Sequence, residues 1–108
     1  MDDSLTYEAF AQSLNTNFQV QLDAASPVDL QLVEVSELKR SARQEEFAII
    51  FRGPDNPFLG QGMQRFAHDH LGQFDLFIVP IRQDARGYYY EAVFNRFRAH
   101  ADTAGENS

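Results

Sequence analysis

From Asn17 to Phe97 apolar residues return at every second position, interrupted at short intervals by turn-forming residues. That period of two is the pattern of half-buried strands, and it leaves few folds open. Phe18, Val20 and Leu22 alternate with Asn17, Gln19, Gln21 and Asp23. Ala24-Ala25-Ser26-Pro27 makes a turn. Val28, Leu30 and Leu32 then alternate with Asp29 and Gln31, until the phase slips at Leu32-Val33 and Val33 and Val35 continue on the other parity. One extra residue in a strand is what a β-bulge supplies.

The rest of the chain continues in the same way. Leu38–Gln44 reads as a polar loop. Phe47–Phe51 is continuously apolar, which predicts a strand covered on both faces. Arg52-Gly53-Pro54-Asp55-Asn56-Pro57 is a loop of breakers, and Phe58-Leu59-Gly60-Gln61-Gly62 extends it. A short strand, Met63–His68, and a turn, Asp69–Gly72, come next. Phe74–Ile81 is a strand with Phe74, Leu76 and Ile78 on one face and Phe77, Val79 and Ile81 on the other. Pro80 cannot donate to a ladder, so that end lies at an edge or a bulge. Gln83–Gly87 is a hairpin loop with Gly87 at positive φ, and Tyr88–Phe97 is the last strand.

Before the strands, Leu5–Asn15 has the period of a helix. Tyr7, Phe10, Ala11 and Leu14 form one apolar stripe, Thr6 is the N-cap and Glu8 lies in the first turn. Leu5 and Phe10 are placed as a hydrophobic staple, and Asn15 as a left-handed terminator. A helix this short is marginal alone, so its stripe must pack on the sheet. We expect Phe10 and Leu14 to pack on the sheet and cover a face carrying some of Phe77, Val79 and Ile81. The fold class expected is mainly β: one helix, then about six antiparallel strands in a small barrel or sandwich, since closure removes exposed edges. At 108 residues this is one domain, residues 1–98, with 99–108 a disordered tail.

Composition narrows the function. There is no Cys, which excludes thiol catalysis, disulfides and Cys-ligated metal. The net charge of −7 repels phosphates and anionic lipid, so neither nucleic acid nor membrane is an expected partner. Lys39, Arg40 and Arg43 sit beside Glu37, Glu45 and Glu46 and read as a solvated loop. No apolar run is long enough to span a bilayer. The acidic start Met1-Asp2-Asp3-Ser4 leads into no apolar segment, so a cytoplasmic location is the default expectation.

Candidate chemistry is sparse, and no cofactor is expected. His68 and His70 would share a strand face and are the weak candidates for a metal, but the remaining His100 lies in the tail and a site needs more ligands. Ser4, Ser13, Ser26, Ser36 and Ser41 lack an elbow motif and read as caps or turns. Asp75 and Glu91 could pair across strands with Arg52 or Arg96 between them, which is an ion-pair pattern before it is an acid–base one. Gly60-Gln61-Gly62 lacks the lysine of a phosphate loop. In Tyr88-Tyr89-Tyr90, the first and third rings share a face and two of the three are expected in the core.

Six pieces occur together in order: YEAFAQSLNTNFQV, LQLVEVSEL, FAIIFRGP, LGQG, HDHLGQFDLFIVPI and YYYEAVFN. In this the chain resembles the DUF6916 family, small bacterial domains of unknown function, from Leu5 to Asn95. The most specific pieces are Phe51-Arg52-Gly53-Pro54, Leu71-Gly72 with Leu76-Phe77-Ile78-Val79-Pro80, and Tyr90-Glu91-Ala92-Val93-Phe94-Asn95. The resemblance implies no catalytic residue. It implies a structural or assembly role, accessory to a phage-tail-like fibre.

The reading carried forward is a non-enzymatic interaction module, binding another protein or itself. Phe58, Leu59 and Tyr89 are the expected anchors: the first two because exposed apolar residues in a long loop serve recognition, and Tyr89 because its ring lies opposite Tyr88 and Tyr90, exposed or under a loop, and tyrosine is favoured at interfaces. The alternative is a small-ligand-binding or hydrolytic barrel using its mouth.

Overall fold

The computed structural model describes residues 6–23 and 25–97. One helix, α1 (Tyr7–Gln12), precedes seven strands: β1 (Asn17–Gln21), β2 (Val28–Val35), β3 (Lys39–Arg40), β4 (Gln44–Gly53), β5 (Gly62–His68), β6 (Gly72–Asp84) and β7 (Gly87–Phe97). Every pairing is antiparallel. The order is β2-β1-β5-β6-β7-β4-β3, and β2 also pairs with β4. That last pairing closes six strands into a barrel and leaves β3 as a short addition beside β4. Among the described residues no helix is long and apolar enough to cross a membrane.

Alternation decides which side chains enter the barrel. Phe18 and Val20 of β1, Leu30 and Leu32 of β2, Phe47, Ile49 and Phe51 of β4, Phe66 of β5, Phe74, Leu76 and Ile78 of β6, and Tyr90 and Ala92 of β7 are all buried. An eight-stranded barrel is just wide enough to be filled by side chains. Six strands enclose less, and here large rings fill the interior: Phe18 lies 5.1 Å from Phe51, and Phe51 5.0 Å from Phe66, between centroids.

Both expected irregularities are present. The β2–β4 register shifts between Leu32 and Glu34, where the sequence changes parity. The β6–β7 register shifts between Pro80 and Arg82, so the proline falls at a bulge. Where β7 begins, its backbone lies tight against β4. Gly87 has φ +135°, and a Cβ there would overlap the Gly53 carbonyl oxygen. A Cβ on Gly53 would in turn overlap the Leu30 side chain. Glycine at both positions lets the two strands meet over a filled interior.

Four expectations are corrected. The helix is shorter than Leu5–Asn15: Thr6 caps it by accepting the Ala9 N–H at 3.0 Å, but the chain leaves it after Gln12. Asn15 then takes φ 70°, and its N–H donates to the Leu32 carbonyl at 2.7 Å, tying the turn to β2. Second, α1 does not cover Phe77, Val79 and Ile81. Phe10 is fully buried among Phe18, Phe47, Phe74 and Phe94, on inward parities of four strands, while Leu14, Phe77 and Ile81 stay exposed. The reason is position. Phe10 enters beside Phe74 and Phe94, beyond Val79–Glu91, where the β6–β7 pairing stops.

Third, Phe47–Phe51 is not covered on both faces. Its odd-numbered residues point inward, and Ala48 and Ile50 are only half-buried on the outside. Fourth, the expected loop Leu38–Gln44 contains β3, where Lys39 and Arg40 pair with Glu46 and Glu45. The Leu5–Phe10 staple, the tail 99–108 and Ala24 of the β1–β2 turn lie outside the described residues.

Candidate functional site

His68 ends β5, and its ring is buried against Phe18 with centroids 4.2 Å apart. Its Nδ1 accepts the backbone N–H of His70 at 3.1 Å and of Leu71 at 3.2 Å. That nitrogen therefore carries no proton, and Nε2–H donates to Thr16 Oγ1 at 2.9 Å. The Thr16 hydroxyl in turn donates to the Ser13 carbonyl at 2.6 Å. Burial holds the His68 pKa below the usual histidine value, with the charge of His70 acting in the same direction and Asp69 against it. Both ring nitrogens are thus engaged in closing the β5–β6 turn and anchoring the α1–β1 connection. His70 stands 5.9 Å away, ring to ring, and His100 lies outside the described residues.

The carboxylates separate. Asp75 pairs across β5–β6 with Arg65 at 2.6 Å, both exposed. Glu91 lies on β7 between Val79 and Ile50 and makes no ion pair among the described residues. Arg96 reaches Glu45 at 3.3 Å, and Glu45 also takes Arg40 at 3.1 Å. Arg52 donates to Gln31. The Asp75–Glu91 pair is therefore not formed, because the register sets them four residues apart along neighbouring strands.

The expected anchors divide. Phe58 is 52% exposed, its ring lying 4.6 Å from that of Tyr88. Leu59 is half-buried against the core, and its N–H donates to the hydroxyl of fully buried Tyr90 at 3.0 Å. Burial raises the Tyr90 pKa, the Leu59 N–H opposing that. Leu59 thus plugs the barrel mouth. Tyr89 is corrected as an exposed anchor: it is buried on the outer face, with the Arg82 guanidinium 4.1 Å from its ring centre and its hydroxyl donating to Asp84 at 2.8 Å. Tyr88 and Tyr90 share the inward face as expected.

The outer surface of the barrel supplies what the loop does not. Met63 and Phe77 face each other across β5 and β6, 63% and 49% exposed. Val93, 61% exposed, is opposite Ala48 on β7 and β4. Half-buried Val79 and Ile50 flank Glu91 in the next row. The apolar second parity of Phe77, Val79, Ala48 and Ile50 was legible in the sequence. Met63 and Val93 were missed, because only the strand register sets Met63 opposite Phe77 and Val93 opposite Ala48. An open groove of about 640 Å³ lies by the β1–β2 turn, lined by Leu22, Pro27, Val28, Pro54 and Pro57, with Asp29 its one titratable group among the described residues.

The class defined is a filled, closed β-barrel domain with a helical plug at one end and an apolar outer face. The chain belongs to the DUF6916 family, described as a domain of unknown function, which it matches over residues 5–94. Comparison with curated proteins and with solved structures gives no match.

Proposed function

We propose that this domain is a non-enzymatic interaction module that docks onto another protein through the outer face of β5, β6, β7 and β4. The observation that supports this reading is the exposed pair Met63 and Phe77 on β5 and β6 and exposed Val93 on β7, with Val79 and Ile50 on the same outer face. Apolar side chains clustered on an outer barrel face contribute nothing to the core and expose oily surface to water. Such clusters mark interaction sites. Phe58 adds an exposed aromatic at the mouth. The larger setting we propose is an assembly of the tail-fibre type, which rests on the family resemblance.

The ligand-binding alternative is less well supported. The interior is filled by rings, Leu59 packs on the core beside Tyr90, and among the described residues the groove at the β1–β2 turn holds one carboxylate where two-carboxylate hydrolysis needs a pair. The test is capture of proteins from a source-cell lysate on the parent and on Met63→Ser/Phe77→Ser. We expect a protein retained by the parent to be lost on the variant, with the denaturation midpoint moved by less than about 0.5 kcal/mol of stability. Equal capture by both refutes the face as the docking site. Recovery of a tail-fibre-like protein supports the wider setting.

A further inference from the structure

Glu91 occupies an unusual place on that face. Val79 on β6 and Ile50 on β4 lie directly across from it, and Val93 follows it on the same face of β7. Phe77 and Met63 border the next row. A carboxylate is thus set among Val79, Ile50 and Val93, at the edge where the apolar residues meet the row of Arg52, Tyr89 and Arg82, half-buried and without an ion pair among the described residues. The cations of the adjoining row point to other partners in this structure: Arg52 bonds to Gln31, and Arg82 lies over the ring of Tyr89. On the other side, Arg65 is held by Asp75.

A partner that covered Met63, Phe77 and Val93 would also remove water from Glu91. An unpaired carboxylate loses its hydration under such a cover, and that penalty opposes binding unless a cation replaces the water. Resting on the docking reading above, we infer that the partner's surface presents an arginine or lysine, flanked by apolar side chains, which pairs with Glu91. The net charge of −7 favours the same choice, since it attracts a basic partner and repels a second copy of this chain. Specificity follows from the same geometry: a purely apolar surface would bury Glu91 unpaired and be rejected.

The experiment uses a displayed library of random 12-residue peptides, selected on the parent and counter-selected on Phe77→Ser. The expected survivors carry Arg or Lys beside aliphatic or aromatic residues. Their affinity should fall about tenfold or more on Glu91→Gln, in line with the loss of one partner of a desolvated charge pair, and less than twofold on Asp23→Asn, which removes the same charge from a distant turn. Survivors without a cation, or survivors indifferent to Glu91→Gln, overturn the inference and leave the docking reading intact. Equal losses on Glu91→Gln and Asp23→Asn also overturn it, by reducing it to general attraction. No survivors of the counter-selection would remove both the inference and the docking reading. Parent protein that sediments as a dimer, while Phe77→Ser sediments as a monomer, makes the occupant a second copy and overturns it as well.

Discussion

Phe10→Ala tests whether α1 is structural. The Phe10 ring is fully buried, with centroids 5.2 Å from Phe94, 6.2 Å from Phe74, 6.3 Å from Phe47 and 6.4 Å from Phe18. Truncating a buried Phe costs about 3–5 kcal/mol, the larger values where the surroundings cannot collapse. These four neighbours stand on four different strands of a closed barrel, whose hydrogen-bonded ladders resist moving inward. We therefore expect about 4 kcal/mol, from a domain whose total stability is about 5–15 kcal/mol. With a urea slope of about 2 kcal/mol per M, the midpoint falls by about 2 M. Leu14→Ala is the control. Leu14 is 40% exposed, so its truncation should cost less than about 1 kcal/mol. A Phe10→Ala midpoint within about 0.3 M of the parent, at unchanged slope, would refute the reasoning. So would a Leu14→Ala loss as large as that of Phe10→Ala.

Two further outcomes are expected. His68 has a folded-state pKa lowered below its unfolded value of about 6.5, so the unfolded chain binds the proton more readily. Its contribution to stability is complete above that value and is lost as pH falls through it towards the folded pKa. Urea midpoints measured from about pH 7 down to pH 5 should decline with a slope that His68→Gln reduces, and parallel slopes would count against the Nδ1 arrangement. Leu59→Ser should cost about 1–2 kcal/mol in urea unfolding, because Leu59 packs on the core and its segment is held by Tyr90; an unchanged midpoint would return this loop to the status of a free recognition element.

Local chemistry made much of this protein legible from its residues. The alternation around Phe18, Leu30 and Phe74 specified strands and their inward faces, because a pleated chain has only two sides. The slip at Leu32-Val33 and the proline at position 80 announced bulges, and Thr6, Asn15 and Gly87 announced a cap and two positive-φ turns, since each depends on a neighbour or two. Which surfaces meet is a different kind of quantity. It depends on how six strands close, and no short window of sequence contains that. Closure sent Phe10 inside the barrel and left Phe77 and Ile81 in solvent. It buried Tyr89 under Arg82, turned Leu59 into a plug and kept Asp75 from Glu91. The outer patch itself is a product of register: Met63 faces Phe77, and Val79 and Ile50 bracket Glu91, only because three separate ladders of hydrogen bonds bring distant segments into step.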